Sequence, residues 1–79
     1  MQDSVIMDNG TELVVGDKVV IEQENVFSIG EVDEIYGDPD DCIGMTTGGW
    51  FGVSGEMSIG GWKIVRKATE EDVANLPEY

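Results

Sequence analysis

Turn-forming residues interrupt this chain so often that no long helix can form in it, and that interruption constrains the fold more than any other feature. Asn9-Gly10, Gly16-Asp17, Gly37-Asp38-Pro39, Gly48-Gly49 and Gly60-Gly61 each supply residues that preset or tolerate turn dihedrals. The runs between them are short and rich in β-branched and aromatic residues, the composition of strands. Lys18-Val19-Val20-Ile21-Glu22 is the clearest, with Val19 and Ile21 on one face. From Phe27 to Tyr36 apolar residues alternate with acidic ones, which predicts a long, half-exposed strand with a bulge or bend at Gly30. Ser4–Met7 and Thr11–Val15 flank the Asn9-Gly10 turn as a small hairpin.

A further strand is expected from Cys42 to Thr47. Two Gly-Gly-Trp units, at Gly48-Gly49-Trp50 and Gly60-Gly61-Trp62, each read as a turn feeding a strand. The one helical signal is terminal: Thr69 can cap Glu70–Leu76, acids occupy the first turn, and Pro77 stops it. Val73 and Leu76, three apart, are expected to share a face and plug one end of the sheet. The fold class is mostly β: about five short strands forming a small barrel over 11–67, preceded by an arm or hairpin at 1–10 and followed by a short helix at 69–76. Seventy-nine residues hold one core and hence one domain.

That core has no covalent reinforcement. Cys42 is the only cysteine and histidine is absent, so neither an internal disulfide nor the usual zinc-ligand sets can form. A core of this size rarely supplies more than roughly 3–5 kcal/mol. The 41% of hydrophobic residues is nonetheless enough to set the chain apart from disordered sequences. No apolar run approaches the ~20 residues of a membrane span, and the first eight residues lack the basic and apolar segments of a secretory signal. A cytoplasmic protein with no membrane partner is expected.

Val15-Gly16-Asp17-Lys18-Val19-Val20-Ile21, followed by Ile29-Gly30-Glu31-Val32-Asp33-Glu34-Ile35, resembles the Gly-Asp-x-Val and Gly-x-Val-x-x-Ile phrases of SH3-like, KOW-type β-barrels. The resemblance runs loosely over residues 11–67 and implies a small SH3-like barrel of a kind common among phage-encoded proteins. It concerns strand and turn geometry, so it implies a fold and not an activity. Nucleic-acid-binding barrels of this class have basic loops, whereas this chain carries Glu22, Glu24, Glu31, Asp33, Glu34, Asp38, Asp40 and Asp41 with no base between them. Direct binding of nucleic acid is not expected.

Catalysis is not expected either, nor is a cofactor. Histidine, the commonest general base near neutral pH, is missing. Cys42 has acidic neighbours that raise a thiol pKa, and it fits an inert, buried position better than a nucleophile. Asp38, Asp40 and Asp41 suggest calcium, but Pro39 intrudes and the twelfth residue from Asp38 is Gly49 instead of the Glu of an EF-hand loop. A solvated turn accounts for them better. The stretch Gly48–Gly61 lacks the Gly-Lys-Ser/Thr ending of a phosphate-binding loop.

Charge is the strongest compositional signal. Seventeen acids against four bases give −13, and residues 1–41 hold twelve of those acids with Lys18 as their only base. A net charge of about 2–8 serves the solubility of a small domain, so the excess, which costs stability through self-repulsion, points to a use. The expected use is inhibition: a row of carboxylates along the second strand and its loop imitates a nucleic-acid backbone and blocks the basic groove of a host protein. A nuclease, a restriction or CRISPR enzyme, or RNA polymerase carries such a groove. Trp50 and Phe51, on a glycine-flanked turn, are expected as exposed aromatic anchors beside the acids. The alternative is a non-catalytic interaction or assembly module, pairing edge to edge as a homodimer, in which the acidity is incidental.

Overall fold

The computed structural model describes all 79 residues. Seven strands and one helix follow in order: β1 (Ser4–Ile6), β2 (Glu12–Val14), β3 (Lys18–Gln23), β4 (Val26–Ile35), β5 (Ile43–Met45), β6 (Trp50–Phe51), β7 (Lys63–Lys67) and α1 (Glu70–Asn75). The protein is mostly β. Strands β3 to β6 form an antiparallel meander, and β7 returns to pair with β3, giving a curled five-stranded sheet in the order β6-β5-β4-β3-β7. Bridges Phe51↔Met57 and Glu56↔Lys63 place residues 56–57 against both edge strands, so the space between β6 and β7 is spanned by backbone pairing.

Local chemistry explains most of these elements. The β3–β4 hairpin turns on Glu24 and Asn25, both at positive φ (49° and 66°), the primed geometry that matches strand twist. Two non-glycine residues there carry a strain that the Asn25 N–H offsets by donating to Glu22 Oε2 at 3.0 Å. The expected bulge at Gly30 is not found. Gly30 pairs regularly with Val19, and its missing side chain instead admits the Met45 sulfur, 3.1 Å from where a Cβ would stand. The irregularity in β4 falls at Asp33, between Val32↔Met45 and Glu34↔Gly44, where β4 has one residue more than its partner.

One buried cluster joins the whole chain: Val19 and Ile21 of β3, Val32 and Ile35 of β4, Ile43 and Met45 of β5, Phe51, Ile64 and Cys42, together with Met7 and Leu13. The last two come from the β1–β2 hairpin. That hairpin is not a loose arm, because Gln2 N–H donates to the Ile35 carbonyl and Asp8 N–H to the Val53 carbonyl (both 2.8 Å) while Leu13 is fully buried. The core therefore takes in Met7 and Leu13 of this hairpin along with the five-stranded sheet.

Helix α1 starts as the sequence suggests. Asp72 N–H donates to Thr69 Oγ1 at 3.1 Å and Thr69 N–H donates back to Asp72 Oδ2 at 3.0 Å, a capping box. It does not plug the sheet: none of its residues is buried, and Val73 is exposed. The residues after Pro77 do the docking. Ile29 N–H donates to the Pro77 carbonyl and Tyr79 N–H to the Ile29 carbonyl, both at 2.8 Å, so the tail occupies the edge of β4 beyond the end of short β5. Tyr79 packs on the core cluster and meets Trp62 edge-on with ring centroids 5.2 Å apart. No helix is long and apolar enough to cross a membrane.

Candidate partner-binding site

The registers of β4, β5 and β6 create two adjacent rows with opposite fates. Ile35↔Ile43↔Phe51 face inward and all three are fully buried. Glu34↔Gly44↔Trp50, one step along, face outward. Trp50 and Phe51 are neighbours in a strand and so must point to opposite sides. This corrects the expectation of a paired anchor: Trp50 is 38% exposed, whereas Phe51 is a core residue with no surface to offer.

Gly44 sets the position of the indole. A Cβ there would lie 3.0 Å from Trp50 Cη2 and Cζ3, so only glycine lets the ring lie flat across β5. From that position it reaches Tyr36, two residues beyond Glu34 on the same outward side, with centroids 5.7 Å apart and planes inclined at 40°. Tyr36 is itself fixed where β4 ends, its N–H donating to the Cys42 carbonyl at 2.8 Å. The two rings form the floor of an open groove of about 660 Å³, whose walls include Met57 and Ile59 and whose rim carries Asp38 and Asp41. Ile59 is 86% exposed, the most exposed large apolar side chain in the chain.

The acids divide into those used internally and those left to solvent. Glu22 is half-buried and pairs with Lys63 at 3.6 Å; Asp17 pairs with Lys67 at 3.5 Å, and Asp72 with Arg66 at 2.8 Å. With their basic ends exposed these pairs add little to stability, but they engage three of the four basic side chains. Glu24, Glu31, Asp33, Asp38, Asp40 and Asp41 are exposed and form no ion pair; Glu34 is half-buried. They do not converge on one spot. Glu24 sits in the turn before the ten-residue β4 and Asp38–Asp41 in the loop after it, with Glu31 and Asp33 between.

In the 36–42 loop the carboxylates organise backbone. Asp38 Oδ1 accepts from Asp40 N–H at 2.9 Å, and Asp41 Oδ1 accepts from the Ser58 hydroxyl at 2.8 Å, joining this loop to the one that carries Ile59. No group of three potential metal ligands is brought together. Cys42 is buried at the base of the loop, its thiol donating to the Phe51 carbonyl at 3.7 Å. Burial pushes this thiol above its ordinary pKa, and the nearby Asp38 and Asp41 charges push the same way, against the Cys42 backbone N–H, whose hydrogen bond favours the thiolate.

Sequence reasoning nominated Trp50 and the rim acids but missed Tyr36, Met57 and Ile59. A signal for Tyr36 exists: it lies two residues from Glu34 at the end of an alternating strand, and a glycine at the centre of β5 leaves space beside it. Comparison with protein-family models, with curated proteins and with solved structures finds no match to this chain.

Proposed function

We propose that this protein is a non-catalytic binding module that docks on a basic, nucleic-acid-binding protein and occupies the groove in which that protein would hold its nucleic acid. The observation that carries this is the Tyr36–Trp50 groove with its carboxylate rim on a chain whose Lys63, Arg66 and Lys67 are already engaged by its own acids. Long-range attraction from the net −13 speeds the encounter, and desolvation of exposed aromatics slows release. On this account the curled five-stranded sheet is a rigid frame for the groove. Edge-to-edge pairing of two copies finds less support, because residues 56–57 already engage both β6 and β7.

The test is affinity capture from cell lysate with the immobilised chain at low salt, followed by elution at about 0.5 M salt, where the Debye length is only about 4–5 Å. Retained proteins should be basic and nucleic-acid-binding, should elute with salt, and should be displaced by duplex DNA. The Glu31→Lys, Asp33→Lys, Glu34→Lys variant should retain less of them. Retention that is indifferent to salt, DNA and charge reversal would refute the proposal.

A further inference from the structure

We infer that the Tyr36–Trp50 groove is a receptor for one arginine side chain of the partner, with the guanidinium stacked on the two rings and facing Asp38 and Asp41. This rests on the preceding proposal that the partner is basic, and it specifies the contact that anchors it.

Three independent features select this occupant. The floor is aromatic, and a cation over an aromatic face is attracted by the ring quadrupole, most strongly over Trp. The rim is anionic: Asp38 and Asp41 line the groove, neither is in an ion pair, and each uses only Oδ1 in a hydrogen bond, Asp38 to the Asp40 N–H and Asp41 to the Ser58 hydroxyl. The shape is an open trough of about 660 Å³, with Met57 and Ile59 able to cover the aliphatic stem of a long side chain. A phosphate or carboxylate would be repelled by the rim. A purely apolar ligand would strip water from two carboxylates without replacing it. Between the two basic side chains, guanidinium is planar, weakly hydrated and able to stack while bonding a carboxylate at its edge, whereas ammonium is a strongly hydrated point charge. The site is also pre-shaped, since the indole is seated on Gly44 before any ligand arrives.

The experiment uses three short peptides of equal length, Gly-Arg-Gly-Arg-Gly and its lysine and citrulline counterparts, titrated into the whole protein while the Trp50 indole N–H is followed by NMR. The arginine peptide should bind about threefold or more tighter than the lysine peptide. The neutral citrulline peptide should bind about tenfold or more weaker than the arginine one. Trp50→Leu should erase the preference for arginine over lysine while leaving residual attraction. Tyr36→Leu, at a second exposed position, should do the same and guards against a folding defect in the first variant. Asp38→Asn with Asp41→Asn should weaken the arginine peptide about tenfold. Equal binding of the arginine and lysine peptides, with perturbations at Glu31 and Asp33 and none at Trp50, would overturn the arginine site while leaving a basic partner in place. If neither cationic peptide binds and no basic protein is captured from lysate, both proposals fall.

Discussion

Adding one methyl group at Gly52 should nearly unfold this protein, and adding the same group at Gly44 should not. A Cβ at Gly52 would stand 2.8 Å from the Pro39 carbonyl oxygen and 2.9 Å from that of Asp40. Both obstacles are backbone, and the Pro39 carbonyl already accepts from Val53 N–H at 2.9 Å. Relief requires the 38–41 loop to move away from β6 and that hydrogen bond to lengthen. Overpacking costs about 1–3 kcal/mol, and the lost bond adds about 1 kcal/mol, so Gly52→Ala should cost about 2–4 kcal/mol. Against the roughly 3–5 kcal/mol that a core of this size supplies, that is most of the stability. At Gly44 the methyl meets only the far edge of the half-exposed Trp50 ring, which can tilt. A small gain in backbone rigidity offsets the displacement, and the net change should stay within about 1 kcal/mol. Urea unfolding followed by circular dichroism measures both. With a slope of roughly 1 kcal/mol per molar, Gly52→Ala should lower the midpoint by about 2–4 M and Gly44→Ala by no more than about 1 M. Because Gly52 anchors the loop that carries Asp38 and Asp41, its variant should also weaken partner capture. Equal midpoints for the two variants would refute the idea that the 38–41 loop is clamped on β6.

Three further outcomes follow from the charges and the thiol. Hydrogen bonds from the Thr69 N–H and the Arg66 guanidinium hold the Asp72 carboxyl below its ordinary pKa. A carboxyl depressed in the folded state stabilises above its unfolded pKa and loses that contribution as pH falls through its folded value. The protection of the α1 amides, taken against the intrinsic exchange rate at each pH, should therefore fall as pH drops below about 4, and Asp72→Asn should abolish that dependence. With a net charge of −13, screening should stabilise the fold: raising salt from about 0.02 to 0.5 M should raise the melting temperature by about 4–8 °C for each kcal/mol of repulsion removed. A fall would show that the three ion pairs outweigh self-repulsion. The raised pKa of Cys42 has the opposite pH sign to Asp72: its contribution is complete below the unfolded thiol pKa and is lost as pH rises past it. Alkylation at pH 7.5 should be slow in the native protein and fast in denaturing urea, whereas equal rates would mean that the loop over Cys42 is open.

Local features were legible in the sequence where local chemistry decides them. The β3 run, the alternating β4, the turn at Asn9-Gly10 and the Thr69 cap need only propensity and spacing, and each is found within about a residue of its expected place. Features set by partner strands were not legible. The bulge lies at Asp33 and not at the available glycine because β4 and β5 must bring Val32 to Met45 and Ile35 to Ile43 with unequal numbers of residues between. The docked tail was also hidden, since Pro77 marks the end of a helix but says nothing of an open edge on β4 beside Ile29. For the site, alternation alone separates Trp50 from Phe51 once β6 is known to be a strand. Tyr36 joins Trp50 only through pairing across β5, which no single segment encodes.

The two-residue length of β6 bears on how this protein can change. Its register with β5 is held by the Thr46–Gly49 turn, where Met45 N–H donates to the Gly49 carbonyl and Gly48 N–H to the Met45 carbonyl. One residue more or fewer in that turn would exchange the faces of Trp50 and Phe51, moving an indole into space shaped for a phenyl ring and turning the phenyl ring out into the groove. Thr46 and Thr47 are exposed, and apart from the Thr46 hydroxyl, which donates to the Glu31 carbonyl at 3.2 Å, their side chains are free to vary in identity. Their number is not, so a surface turn that a loop-grafting experiment would choose first as an insertion point is in fact the chain's gauge for which aromatic ring faces the groove.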